Sequence, residues 1–167
     1  MRPSSSPTAL THPIRGFTLI EMVITLALVG LLALVAMPLA EVATVRAKES
    51  ELRVALRQIR TAIDAYRAAA DAGQIEKKAD DSGYPPSLEA LVEGIPDTKH
   101  PGNPPLTFLR RIPRDPFYPD PTTSDADTWN QRAYGSPPSH PEPGRDVFDV
   151  ASRSTKVGLN GIAYNQW

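Results

Sequence analysis

Gly16-Phe17-Thr18-Leu19-Ile20-Glu21 leads directly into residues 22–40, a run of 19 residues without a formal charge, built largely from Leu, Val, Ala, Ile and Met. At 1.5 Å per residue, about 20 such residues in an α-helix cross the roughly 30 Å hydrocarbon core of a bilayer. A helix on the surface of a soluble domain keeps a polar stripe, and this run has none. The reading is therefore a transmembrane helix over about residues 17–40, with Glu21 the single charge near its head. A secretory signal peptide has a shorter apolar region that closes on a small-x-small cleavage site. Here the run is longer, Pro38 sits near its end, and no clear Ala-x-Ala follows.

Upstream, residues 1–16 carry Arg2 and Arg15, three prolines and no acid, and read as an unstructured leader. Uncompensated arginines before a membrane helix place the N-terminus in the cytoplasm and send the rest of the chain across. Downstream, Val42, Val45, Leu52, Leu56, Ile59, Ile63 and Tyr66 fall on one helical face. Arg46, Arg53, Arg57, Arg60, Asp64 and Arg67 occupy the remainder and read as a solvated face, with Glu49 to Arg53 a favourable i,i+4 pair. One helix is thus expected over residues 17–72, ended by Gly73 and the polar run that follows it. Pro38, which lacks an amide donor, is expected to kink it.

The whole chain has 167 residues, 18 basic against 19 acidic side chains, 18 prolines and no cysteine. Near-neutrality argues against a general polyanion binder. The lack of cysteine removes disulfide scaffolds, thiolate zinc sites and thiol nucleophiles. The prolines are unevenly placed: 14 of the 18 lie from Pro85 onward. Residues 73–167 therefore cannot form a long helix and are expected to make a loop-rich module. A short helix with Ser87 as N-cap, ending near Gly94, is expected there. Strands are expected over residues 129–134 and 146–151.

The stretch from Gly16 to Glu21 resembles the cleavage and methylation motif of type IV pilins and type II secretion pseudopilins. The resemblance implies that prepilin peptidase cuts between Gly16 and Phe17 and N-methylates Phe17, and that Glu21 serves assembly. Arg15 matches the basic leader, and Pro38 matches the helix-breaking proline of many members. The implied fold is α+β and pilin-like: a long N-terminal helix, transmembrane in its first half, packed on a small antiparallel sheet with a loop-rich C-terminal module. The implied mechanism gives Glu21 a physical task. In a filament core a lone carboxylate costs several kcal/mol, and the methylated Phe17 amine of a neighbouring subunit offsets it only in the correct axial register.

Three C-terminal segments are similar to the major, G-type pseudopilin: Tyr-Pro-Pro-x-Leu-x-x-Leu from Tyr84, Arg-Ile-Pro-Arg-Asp-Pro from Arg111, and the aromatic strand from Asp146. Type IVa pilins generally carry a C-terminal disulfide loop, which a chain without cysteine cannot form. G-type pseudopilins often bind calcium in the loop after the last aromatic strand. Between Val150 and Trp167 there is no Asp or Glu, while Arg153 and Lys156 are present, so the sequence argues against calcium there and no cofactor is expected. Asp115, Asp120, Asp125 and Asp127 read as solvated loop acids, without the glycine turn and closing Glu of an EF-hand. His12, His100 and His140 are scattered, and no nucleophile elbow, phosphate loop or His-Glu-x-x-His occurs, so no enzyme is expected.

The expectation is a major pseudopilin-like structural subunit. Its partners would be further copies of itself, other pseudopilins, prepilin peptidase, an inner-membrane assembly platform and the membrane, with nucleic acid disfavoured. It would sit in the bacterial inner membrane as a single-pass protein with a periplasmic module, then in a periplasmic filament. One alternative is a type IV pilus or competence pilin, in which Arg110, Arg111 and Arg114 contact DNA or another partner. Another is a single-pass periplasmic adaptor or binding protein that does not polymerise.

Overall fold

The computed structural model describes residues 16–78 and 80–167. Helix α1 runs over Leu19–Asp71, without interruption at position 38, where the sequence places its helix-breaking proline. Leu, Ala and Met are strong helix formers, and they dominate the first half. The helix stops at a glycine cap. Gly73 takes φ +72°, its N–H donates to the Ala70 carbonyl at 3.0 Å, and the Gln74 N–H reaches back to the Ala69 carbonyl at 2.9 Å. Those bonds satisfy carbonyls that the end of a helix otherwise leaves open.

Two compact units divide the chain between Val42 and Ala43. In the first, large apolar side chains such as Leu19, Ile20, Leu26, Leu34 and Leu39 are exposed. In the second, Ala43–Trp167, Leu52, Leu56, Ile59, Ile63 and Tyr66 of α1 are buried, as their spacing predicts. They pack in one core with Leu88, Leu91, Trp129, Val147, Val150 and Tyr164. Of the stripe's first members, Val45 is half-buried and Val42 is exposed.

The rest of this unit is short elements joined by loops. Helix α2 covers only Ala90–Glu93, with Glu89 rather than Ser87 at its N-cap and Gly94, at φ +87°, closing it. Residues 86–88 are bends instead of a first helical turn, so Ser87 caps nothing. Strands β1 (Trp129–Arg132) and β2 (Asp149–Ser152) pair antiparallel, Trp129 opposite Ser152 and Arg132 opposite Asp149. The sheet is α1's companion in an α+β architecture, and it is shorter than the sequence predicts. Ahead of β2 the Val147 N–H turns away to the Pro85 carbonyl, and the Asp146 carboxylate accepts the Tyr134 N–H at 2.8 Å. The first bond draws an amide out of the ladder and the second spans the loop end of the strand pair, and the prolines at 137, 138, 141 and 143 have no N–H with which to extend a ladder. Trp129 anchors the other end: it is buried, and its indole N–H donates to the Pro113 carbonyl at 2.8 Å.

Candidate processing and assembly site

The segment that resembles a prepilin motif straddles the start of α1. Residues 16–18 precede the helix, and Phe17 is 77% exposed. Among the described residues nothing lies within 4 Å of the position a Cβ on Gly16 would take. The Gly16–Phe17 peptide bond lies in the non-helical stretch ahead of α1. The remaining residues of the expected leader, 1–15, lie outside the described residues.

Thr18 begins the helix. Its Oγ1 accepts the Glu21 N–H at 3.3 Å, and its carbonyl accepts the Met22 N–H at 3.1 Å. Thr-x-x-Glu is the spacing of a capping box, in which the cap hydroxyl satisfies an amide the first turn leaves open. Glu21 lies in that first turn, where the helix dipole favours negative charge. The cap itself was readable in the sequence as Thr18 three residues before Glu21. Beyond it, α1 is long and apolar enough to cross a membrane.

The other polar residues singled out in the sequence divide into free and committed groups. Arg110 and Arg111 are exposed. Arg114 is not available in the same way: it donates to the Thr123 carbonyl at 2.7 Å and to the Asp120 carbonyl, and its guanidinium lies near the Tyr118 ring. That arginine shapes its own loop. Asp120 accepts the Thr122 N–H and hydroxyl and the Thr123 hydroxyl, which hold its carboxyl below the usual carboxylate range. Asp120, Asp125 and Asp127 are loop acids with local partners.

Asp115 corrects the sequence reading. It is 1% exposed instead of solvated, and accepts the Ser152 hydroxyl at 2.6 Å and the Phe117 N–H at 2.8 Å. Two further charges were placed on the solvated face of α1 and are not there. Glu49 is buried. Arg60 is half-exposed and donates to Asp149, to the Val150 carbonyl and to the Trp167 main-chain oxygen. Among the described residues no group of three or more His, Asp and Glu side chains is placed to hold a metal ion.

Residues 12–37 match the family model of the prokaryotic N-terminal methylation motif. No curated protein and no solved structure matches the chain. The matched segment contains Gly16, Phe17 and Glu21 and supports a type IV pilin-like prepilin, processed by prepilin peptidase. Together with the apolar helix it also supports anchoring in a membrane.

Proposed function

We propose that this chain is a major pseudopilin-like structural subunit of a type II secretion pseudopilus. Prepilin peptidase cuts it between Gly16 and Phe17 and N-methylates Phe17, and the subunit then polymerises through α1 to drive protein secretion. It performs no catalysis of its own. Before assembly it sits in the inner membrane as a single-pass protein with its C-terminal module in the periplasm; after assembly it is part of a periplasmic filament. Its partners are further copies of itself, other pseudopilins and the assembly platform.

The observation that carries this reading is an exposed apolar helix that opens on one acid. Among the described side chains from Leu19 to Leu39 the large apolar ones are exposed, and Glu21 sits in the first turn behind an accessible Phe17. Such a surface needs lipid or the helices of neighbouring subunits to cover it. Once the helices bundle, the Glu21 carboxylate loses water and requires a cation. The secondary amine created at Phe17 stays protonated and supplies one from a neighbouring copy. The absence of cysteine favours the pseudopilin over pilins with a C-terminal disulfide loop.

Mass spectrometry of the mature protein, together with deletion of its gene, tests the reading. The expected N-terminus is methyl-Phe17, and the expected loss is of exoprotein release. Loss of twitching or DNA uptake with secretion intact would move the protein to a type IV pilus. An uncut N-terminus would leave a non-polymerising adaptor.

A further inference from the structure

Glu49 occupies the position on the α1 stripe between Val45 and Leu52, where an apolar residue is expected, and it is 3% exposed. A buried carboxylate is costly unless it is hydrogen-bonded and paired. Its Oε1 accepts the Leu159 N–H at 2.7 Å and the Tyr164 hydroxyl at 3.1 Å. Its Oε2 meets Arg53 at 3.4 Å, and the same guanidinium lies 4.4 Å from the centre of the Trp167 ring. One carboxylate on the helix thus gathers an amide and a phenol from the chain's last stretch, and its ion-pair partner covers an indole from that stretch.

We propose that Glu49 is the internal anion on which the C-terminal segment 154–167 docks, and that it does this in place of a bound metal ion. Apart from the Tyr164 ring, which packs in the core and on Phe117, the segment's backbone hydrogen bonds run mainly within itself. Gly158 N–H donates to the Ile162 carbonyl, Gly161 N–H to the Gly158 carbonyl, Tyr164 N–H to the Lys156 carbonyl and Asn165 N–H to the Ser154 carbonyl. These bonds give the loop its shape and do not fix it to α1. The polar ties to α1 are those at Glu49 and the bond from Arg60 to the Trp167 oxygen.

The donor chemistry is the reverse of a calcium site. A hard cation gathers six to eight oxygen ligands, several of them carboxylates. The segment contains no Asp or Glu but does contain Lys156. Here the negative charge sits on the helix, and polar hydrogens converge on it from the loop. A cation at Glu49 would compete with the Leu159 N–H and the Tyr164 hydroxyl at Oε1 and with Arg53 at Oε2. Calcium, which the pseudopilin resemblance would place in this loop, does not fit these residues. The inference rests on the second unit alone and holds whether or not the chain polymerises.

Hydrogen exchange on the full-length protein in detergent micelles tests it, with amides read at Leu159 and along 154–167, and the β1–β2 ladder as an internal reference. In the wild type, protection of the segment is expected to be the same in EDTA and in excess calcium chloride. Glu49→Ala is expected to speed exchange across the segment by about tenfold or more while the ladder stays protected. Tyr164→Phe, which removes one donor and keeps the ring, gives a smaller increase centred on the same amides. This milder variant carries the test if Glu49→Ala does not fold. A wild-type segment that gains protection with calcium overturns the proposal, as does unchanged exchange in both variants.

Discussion

Arg60, on α1, donates from Nε to the carboxylate of Asp149, at the start of β2, across 2.8 Å. Its terminal nitrogen also reaches the Val150 carbonyl at 3.0 Å and the Trp167 oxygen at 2.8 Å. A planar guanidinium with several fixed donors suits this three-way junction, and an ammonium does not. Both partners are about one-third exposed, so solvent screens part of the charge interaction. Arg60→Ala is expected to lower unfolding free energy by about 1–2 kcal/mol, and Arg60→Lys to recover less than half of that. Urea titrations of the detergent-solubilised protein measure both; an unchanged midpoint for Arg60→Ala would show that the junction contributes nothing.

At Gly158 the chain passes close to its own aromatic residues. A Cβ there would meet Trp167 Cζ2 at 2.8 Å, Tyr164 Cε1 at 2.9 Å and Asn160 Oδ1 at 3.0 Å. Tyr164 is stacked on Phe117 at 3.9 Å, so its ring has little room to yield. Gly158→Ala is expected to cost about 1–3 kcal/mol as overpacking. A change in tryptophan emission should accompany it, because Trp167 must shift.

Asp97 is expected to contribute to acid sensitivity. The His100 ring nitrogen lies 3.0 Å from its carboxylate, and the Lys99 and His100 amides also donate to it. These partners hold its carboxyl below the usual carboxylate range. A carboxyl depressed in the folded state stabilises that state above its unfolded value, and the contribution disappears as pH falls through the folded value. Stability should therefore decline below about pH 4, and Asp97→Asn should flatten that decline while leaving neutral-pH folding intact. Thermal melts from pH 2 to 7 provide the comparison, and parallel acid limbs in the two proteins would count against Asp97.

Glu21 separates maturation from assembly under the proposed function. Glu21→Ala is expected to leave cleavage at Gly16 and methylation of Phe17 largely intact. Filament yield should fall by about tenfold or more, because the amine of a neighbouring subunit no longer has its counter-charge. Normal filament yield and stoichiometry would remove the register-selecting role.

Local patterning carries α1 and its buried stripe: the charge-free run, the 3–4 spacing from Leu52 to Tyr66 and the glycine stop are all readable along the chain. The motif from Gly16 to Glu21 is equally local. Glu49 was read with the solvated face because it is charged, although position 49 fills at helical spacing the gap between Val45 and Leu52. Its partners at 159 and 164 leave no local signature, and neither does the junction between Arg60 and Asp149. Asp115 looked solvated among nearby loop acids because nothing in that loop announces Ser152 as its partner. Strand lengths were overestimated because β-forming residues such as Val147 spend their amides on a loop carbonyl, a choice made by tertiary packing.

The Thr18 cap lies one residue beyond Phe17, so the cut that the proposed function places before Phe17 keeps the cap with the helix. Under that reading, precursor and product begin α1 at the same turn. Trimming would then change the chemistry of the terminus, from a neutral amide to a cationic amine, while the capped first turn stays in place.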